Sequence, residues 1–296
     1  MNLQQLRYVV AVAELGNFTR ASERCSVVQS ALSHQVAKLE QELGARLFHR
    51  TSRSVALTPA GAAFLPGARE CLAAAERAQA EVYAATGEIR GRLAVGMIPT
   101  AAAVDVPAVL RSFHQEHPQV RVSLLTGGSD VLADQVRGGA LDVAFLGLAE
   151  DVELPHLNSR PLARDPLAAL LAPGHRLAGR RRIRLEAIAA EEFVDFPAGT
   201  TGRVQADHAF LTAGLERTVA FEITDPQIMA RLVAEGLGVA LLASTYAVRL
   251  PGVTVVPVVN TSYRVEHLIW SRLGPTPAAD AFITRAMRRV HAGRRG

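Results

Sequence analysis

Residues 18–61, FTRASERCSVVQSALSHQVAKLEQELGARLFHRTSRSVALTPAG, form the stretch that decides the fold of this chain. The stretch predicts a short helix, a tight turn at residues 26–28, a longer helix, and a hairpin whose strands are 47–48 and 55–57. In the longer helix, Leu32, Val36, Leu39 and Leu43 recur every three or four residues, which predicts one buried face. This order is that of a helix-turn-helix followed by a wing, which is suited to placing a helix in the major groove of DNA.

The opposite face of the longer helix is polar and carries small side chains. It presents Ser30, Ser33, His34 and Lys38, with Gln29 at its leading end. Gln, Ser and His side chains can form hydrogen bonds with base edges in the major groove. The alternative interpretation is a solvated face on an ordinary three-helix unit, because helix pairs joined by short turns are common.

Basic residues around the predicted hairpin favour the DNA interpretation. Arg46, His49, Arg50 and Arg53 lie within a few residues of it, where guanidinium groups can reach phosphates or the adjoining minor groove. Residues 1–62 contain seven Lys and Arg against four Asp and Glu, a net charge of +3, and the whole chain is +4. The positive charge is therefore concentrated where DNA would be contacted.

Residues 1–61 resemble the winged helix-turn-helix of the LysR-type transcriptional regulators. The strings FTRAS, SALSHQVAKLEQELGARLFHR and LTPAG stand in the order and spacing of that family. The resemblance implies a DNA-contacting set on the recognition helix and the wing: Gln29, Ser30, Ser33, His34, Lys38, Arg50 and Arg53. Two departures bear on the target sequence, since Ser30 stands where a proline is usual and His34 where an arginine is common.

The second segment, residues 62–90, is predicted to be a linker and dimerisation helix. Thr58 and Pro59 provide a capping hydroxyl and a first-turn proline. A seven-residue apolar repeat then predicts antiparallel pairing with another copy of the chain; it comprises Leu65, Ala68, Leu72, Ala75 and Val82. The alternative is a buried connector. A dimer is favoured because one recognition helix contacts too few base pairs to select a site.

Residues 91–296 alternate between predicted strands and helices, which indicates a mostly parallel sheet covered by helices. Two α/β lobes with a cleft between them are expected, lobe I at about 91–161 and 268–296 and lobe II at about 162–267. The phrases GGALDVAFLG and LVAEGLGVALL resemble the LysR-type effector domain, itself similar to periplasmic solute-binding proteins. The predicted fold class is thus α+β and multidomain: a winged helix-turn-helix, a linker helix and a two-lobed α/β effector domain.

Loops that follow four of the predicted strands form the candidate effector site, because open α/β sheets bind ligands at the carboxyl ends of their strands. The candidate residues are Ile98, Thr100, Ser129, Thr200, Thr201, Gly202, Arg203 and Asp225. Their hydroxyls and amides could hold an anionic small molecule, with Arg203 as its charge partner. The resemblance implies the same positions at Thr100, Ser129 and residues 200–203. Each residue has an alternative role as a helix cap, which is favoured for Asp225, and Arg203 could instead pair with Asp207.

Cys25 and Cys71 are the only cysteines, and their spacing matches no metal site. One interpretation is that both are buried structural thiols. The other is a DNA-binding regulator that is switched by oxidation of Cys25 rather than by a ligand. The chain has no cysteine after residue 71, which argues against the disulfide switch of the LysR-type peroxide sensors.

These patterns together predict a cytoplasmic DNA-binding regulator controlled by a small-molecule effector, with no cofactor and no metal. No export signal or membrane-length apolar segment is evident, so no membrane partner is expected. The expected partners are promoter DNA, further copies of the chain as a dimer or tetramer, and RNA polymerase. An enzyme or a solute-binding protein that uses the cleft is the more distant alternative, because the chain lacks the common nucleophile, phosphate-loop and metal-helix motifs.

Overall fold

The computed structural model describes residues 1–51, 54–261 and 263–293, which form two units. The first unit comprises Met1–Glu88 with Gly138–Ala140, and the second comprises the remaining residues from Ile89 onward. Within these ranges, no three His, Cys, Asp or Glu residues are grouped as metal ligands would be. None of the helices in the same ranges combines the length and apolar character that a membrane span requires.

The head, residues 1–57, consists of three helices and a two-stranded wing. Its elements are α1 (Leu3–Leu15), α2 (Phe18–Arg24), α3 (Gln29–Leu43), β1 (Phe48–Arg50) and β2 (Val55–Leu57). The predicted recognition helix is confirmed as α3, and β1 begins one residue later than predicted. Gly16 ends α1 with a φ of 59°, a left-handed conformation that glycine adopts without steric cost.

The core of the head lies between the recognition helix and the other two helices. Leu32, Val36 and Leu39 are fully buried, as their spacing predicts. Leu43, the fourth predicted member of this face, is 41% exposed, because α3 ends at that residue and its last turn extends past the core. Phe18 and Phe48 meet edge to face with ring centres 5.9 Å apart, which joins α2 to the wing.

The linker helix α4 (Pro59–Ala85) packs its first turns against the head. Leu65 and Ala68 are buried against Leu6 and Val10 of α1, so these seam positions are used within the subunit rather than left for a partner. This corrects the prediction of one continuous intermolecular seam, because the repeat also matches the face that α1 covers. Val82, near the end of α4, is 64% exposed.

The second unit alternates strands and helices, with a single turn of 3-10 helix at Leu185–Ala187. Its strands are β3 (Gly91–Met97), β4 (Val120–Thr126), β5 (Val143–Ala149), β6 (Leu157–Asp165), β7 (Leu167–Leu171), β8 (Glu192–Asp195), β9 (Thr218–Glu222), β10 (Ala240–Ala243), β11 (Thr254–Pro257) and β12 (Arg264–Ser271). Its helices are α5 (Val106–Glu116), α6 (Ser129–Arg137), α7 (Thr201–Thr212), α8 (Pro226–Ala234), α9 (Ser244–Ala247) and α10 (Pro277–Gly293).

Lobe I is built on a five-stranded sheet in the order β4-β3-β5-β12-β6. The strands β4, β3 and β5 are parallel, whereas β12 pairs antiparallel with both β5 and β6. The parallel strands are those joined through α5 and α6, because a helical crossover returns the chain to the same end of the sheet. The expected mostly parallel sheet is therefore wrong for the β12 and β6 side of this lobe.

Lobe II contains an antiparallel sheet, in the order β10-β7-β11, and a parallel pair formed by β8 and β9. The predicted lobe boundaries also require correction, since residues 162–165 and 264–267 belong to the lobe I sheet. The prediction of strands missed β6, whose interior Pro161 is unusual for a strand. Here the proline is tolerated because β6 is an edge strand that pairs only with β12.

Candidate DNA-binding face and effector cleft

The polar face of α3 lies mostly open to solvent. Gln29, Ser30, His34 and Lys38 are exposed, and Ser33 is half-buried. The first turn of α3 has no side-chain cap, because Val28 stands at the capping position, whereas Asn2, Asn17 and Thr58 cap the other helices of this unit. Uncapped amides at a helix N-terminus favour anions such as phosphate.

The wing arginines differ in what can be said of them. Arg50 turns toward the protein, where its Nη1 donates to Ser33 Oγ at 3.2 Å and its Nη2 donates to Glu40 at 2.9 Å. Its guanidinium also lies 4.4 Å from the centre of the Phe18 ring. Arg53 lies outside the described residues, so its predicted DNA contact stays a prediction.

Glu40 is a residue of the head that the sequence analysis did not single out. Its side chain is 10% exposed, and one carboxylate oxygen accepts hydrogen bonds from the amides of Leu47 and Phe48 at 2.8 and 3.2 Å. The other oxygen accepts from Arg50. Glu40 therefore ties the wing to α3, which helix periodicity alone could not reveal because the partners lie seven to ten residues along the chain.

The two cysteines do not share one environment. Cys71 is exposed, so the interpretation of two buried thiols is wrong for it. Cys25 is half-buried beside the core of the head, and burial raises the pKa of its thiol, although Arg24 and Arg7 act in the opposite direction. A raised pKa lowers the fraction of thiolate, which is the form that reacts with oxidants.

A cleft in the second unit contains a cavity of about 370 Å³, within the size range of small-molecule sites. It lies at the carboxyl ends of β3, β4, β8 and β9, at the edge predicted from the strand order. Residues of both lobes line it: Ile98, Pro99, Thr100, Thr126, Gly127, Gly128, Ser129, Gly147, Phe196, Pro197, Thr200, Thr201, Gly202, Thr224 and Arg264. Six of the eight predicted effector residues are among them.

The hydroxyls on the lobe I side are already hydrogen-bonded. Ser129 Oγ donates to the carbonyl of Gly147 and accepts from its amide, at 3.1 and 3.2 Å. Thr100 Oγ1 accepts from Arg264 Nη1 at 2.7 Å. Thr100 and Ser129 are 4% and 2% exposed. This side of the cleft is therefore held in place before any ligand arrives.

Arg264 is the cation of the cleft, and the sequence analysis missed it. It is 6% exposed, and its Nη2 donates to the carbonyl of Thr100 and to Glu266, both at 2.9 Å. Its buried Nε has no hydrogen-bond partner. Glu266 is 2% exposed and also accepts from the amides of Ala102 and Ala103. Two charges in alternate positions of an otherwise apolar strand were the available signal.

The lobe II side consists of the loop that leads from β8 into α7. Thr200 Oγ1 donates to the carbonyl of Pro197 at 2.8 Å, which closes the turn. Thr201 Oγ1 donates to Asp130 of α6 at 3.2 Å, a hydrogen bond that joins the two lobes. Gly202 lies beneath Phe196, and a Cβ at this position would lie 2.8 Å from the ring.

Arg203 and Asp225 do not line the cleft, which corrects two of the predicted effector residues. Arg203 donates to Asp207, to Glu222 and to the carbonyl of Phe196, at 3.0 to 3.2 Å. Although burial raises the pKa of Asp207, hydrogen bonds from Arg217 and Arg203 hold it below its usual value. Asp225 caps α8 by accepting from the amide of Gln227 at 2.7 Å. The alternative roles given for both residues are the ones observed, because each has a partner within four residues.

Comparison with known proteins extends these observations to the whole chain. The model described as "Bacterial regulatory helix-turn-helix protein, lysR family" matches residues 3–62, and the "LysR substrate binding domain" matches residues 86–290. The HTH-type transcriptional regulator ShiR of Corynebacterium glutamicum is 33% identical over 294 residues, which cover 97% of this chain and 98% of ShiR.

Solved structures of full-length regulators share the fold. A full-length OxyR variant from Pseudomonas aeruginosa matches with a TM-score of 0.77 at 28% identity, covering 97% of this chain and 98% of that protein. CbnR complexed with its target DNA matches with a TM-score of 0.66 at 26% identity, covering 98% of this chain and 100% of CbnR. The likeness thus includes the head, the linker helix and the two-lobed unit.

Proposed function

The chain belongs to the LysR family of bacterial transcriptional regulators, and we propose that a small molecule in its cleft controls how the head acts on promoter DNA. As in its family, the head binds DNA and the second unit is an effector-binding domain. The observation that carries the proposal is the cavity between two lobes, in which the N-termini of α6 and α7 meet buried hydroxyls. Helix N-termini, hydroxyls and apolar walls together form a typical small-molecule site.

We propose that α3 enters the major groove with its exposed face toward the bases. Gln29, Ser30, Ser33 and His34 are the proposed base-reading residues, and Lys38 is close enough to the same face to reach phosphate. The uncapped amides at the start of α3 add a second phosphate site. Arg50 and Arg53 complete the proposed set on the wing.

The proposed effector carries at least one hydrogen-bond acceptor, such as a carboxylate. With Arg203 paired outside the cleft, the support for an anionic effector comes from Arg264 and from the N-termini of α6 and α7. Arg264 is compensated by Glu266, so a single negative group suits the cleft better than a multiply charged one. The effector set proposed here is therefore Ile98, Thr100, Ser129, Thr200, Thr201 and Gly202, together with Arg264.

Two hydrogen bonds between the lobes offer a route from the cleft to regulation. Thr201 bonds to Asp130, and Arg249 Nη2 donates to the carbonyl of Ala102 at 2.7 Å. A ligand shifts an arrangement of lobes only by its difference in affinity for the alternatives, typically ~1–3 kcal/mol. We propose that the effector acts by changing the spacing of the lobes at these contacts.

The protein assembles with copies of itself, as regulators of this family do, and the assembly is proposed to be a dimer or a tetramer. We propose that the exposed end of α4 around Val82 contributes to it. RNA polymerase is a further proposed partner, the cytoplasm the proposed location, and catalysis no part of the proposed role. The Cys25 switch is not favoured, because burial raises the pKa of that thiol.

The experiment is a thermal-shift screen of small metabolites with the full-length protein, repeated with Thr100→Val. We expect at least one carboxylate to raise the Tm of the wild type and to alter its binding to the neighbouring promoter. Thr100→Val should lose the ligand shift and keep DNA affinity. Thr218→Val, on the surface of lobe II, is the matched control and should respond as the wild type does. A ligand that shifts both variants equally would place the site elsewhere.

A further inference from the structure

Ser33 is a residue of the recognition helix whose hydrogen-bonding role is restricted from within the protein. Its Oγ lies 3.2 Å from Nη1 of Arg50. A guanidinium has five N–H donors and no acceptor, so Arg50 must donate and Ser33 must accept. This direction holds wherever the hydroxyl hydrogen points, because the arginine can take no other part.

Arg50 is held in this position from three sides. Besides Ser33, it donates to Glu40 at 2.9 Å and stacks over the ring of Phe18 at 4.4 Å. Glu40 is itself fixed, since its carboxylate accepts the amides of Leu47 and Phe48 at the start of the wing. The guanidinium is therefore anchored to the core of the head, and its bond to Ser33 does not depend on one flexible contact.

The hydroxyl hydrogen of Ser33 is left for a group outside the protein. Serines in helices often donate to a carbonyl in the preceding turn, as Ser22 does to Thr19 at 2.7 Å and Ser112 does to Val109 at 2.9 Å. Ser33 makes no such bond within the part of the chain that the structure describes. It is half-buried on the same face as the exposed Gln29 and His34.

We propose that Arg50 fixes Ser33 as a hydrogen-bond donor toward DNA, so that the contacted base must present an acceptor. This inference rests on the proposed placement of α3 in the major groove. In that groove guanine offers N7 and O6, adenine offers N7 and thymine offers O4, whereas cytosine offers only its N4 amine, a donor. The contact therefore excludes cytosine at one position of the contacted strand, and Arg50 is a positioning residue that determines specificity.

The test begins with selection of binding sites from random duplexes, using the full-length protein and its Ser33→Ala variant. A position whose preference disappears in Ser33→Ala is the one that Ser33 contacts. Fluorescence anisotropy then compares four duplexes that differ only at this base pair. For the wild type, we expect the duplex with cytosine on the contacted strand to bind roughly three- to tenfold more weakly, the value of one hydrogen bond.

Substitution of Arg50 tests the cause of the exclusion. In Arg50→Met, Ser33 is free to accept from the cytosine amine, so the cytosine penalty should disappear even though overall affinity falls. Arg50→Lys keeps a donor-only cation and should retain the penalty. Arg46→Met is the matched control, because it removes the same charge near the wing, and should weaken binding to all four duplexes equally.

Two results would overturn the inference while leaving DNA binding intact. One is an unchanged set of selected sites for Ser33→Ala, and the other is a cytosine penalty that persists in Arg50→Met. A preference for cytosine at the Ser33-dependent position in the wild type would overturn it as well. If the wild type shows no sequence preference in the selection, the proposed placement of α3 fails together with the inference.

Discussion

The recognition helix and the effector cleft both rely on small polar side chains, but they hold them differently. On α3, Gln29, Ser30 and Lys38 are exposed and make no hydrogen bond to another described group. In the cleft, the hydroxyls of Thr100 and Ser129 are buried and hydrogen-bonded within the protein. Ser33 is intermediate, since it is half-buried and accepts one hydrogen bond.

This difference separates recognition from folding in one region and joins them in the other. An exposed side chain on α3 can be replaced with little effect on stability, because the replaced group was solvated in both states. A buried hydroxyl in the cleft cannot, because its partner is left unsatisfied. Variants of the two regions should therefore differ in the free energy of unfolding before they differ in binding.

The largest expected effect is that of Glu266→Ala, which leaves Arg264 buried without its carboxylate. Breaking a buried pair of this kind typically costs about 3–5 kcal/mol. We expect urea denaturation to show such a loss in the free energy of unfolding. Glu153→Ala, at an exposed position, is the control and should lie near the wild type. A loss below about 1 kcal/mol for Glu266→Ala would show that the pair contributes little.

A pair of serine variants tests the comparison directly. Ser129→Ala leaves the amide and carbonyl of Gly147 without their partner and should cost about 1–3 kcal/mol of unfolding free energy. Ser30→Ala removes an exposed hydroxyl and should change DNA binding only. Thermal unfolding of both variants measures the difference. Equal stability would mean that the cleft hydroxyl is not structural.

The cap of α8 gives a smaller effect that separates Asp225 from the cleft. Asp225→Ala should reduce stability by about 1 kcal/mol, the usual value of a helix cap. Because Asp225 does not line the cavity, the affinity for the effector should stay unchanged. Asp225→Ser keeps a capping oxygen and should recover most of the stability. Loss of effector affinity in Asp225→Ala would return this residue to the site.

The smallest expected change in stability is that of Lys38→Gln, within about 0.5 kcal/mol of the wild type. Its DNA affinity should fall for all sequences, and the dependence of log affinity on log salt should flatten by about one unit if one phosphate contact is lost. Lys38→Arg keeps the charge and should keep the slope. Filter binding over a range of salt concentrations measures both quantities, and an unchanged slope for Lys38→Gln would remove Lys38 from the phosphate contacts.

The head could be predicted in detail because its signals are local. The three- and four-residue spacing of Leu32, Val36 and Leu39 depends only on helix geometry, and all three are buried. Leu43 follows the same spacing, but helix periodicity does not reveal where the core ends. The seam of α4 failed for a related reason, since an apolar repeat does not specify whether α1 or a second subunit covers it.

The cleft could be predicted only in part, because its remaining residues are brought together over long distances in the chain. Thr100 and Ser129 follow strands, so strand order alone locates them at the ligand-binding edge. Arg264 lies 164 residues from Thr100, and nothing in the neighbouring sequence indicates their hydrogen bond. Arg203 was the opposite case, since the sequence already contained its alternative partner, Asp207, one helical turn later.

Gly202 shows how the shape of the cleft can oppose the propensity of its own helix. Alanine in the first turn of α7 would restrict the unfolded chain and favour helix by roughly 0.4–1 kcal/mol. The new methyl group, however, would meet the ring of Phe196 at 2.8 Å and force that ring to move. Phe196 lines the cavity, so a change that favours the helix would alter which molecules fit. Selection for thermal robustness and selection for an inducer therefore act in opposite directions at this one position.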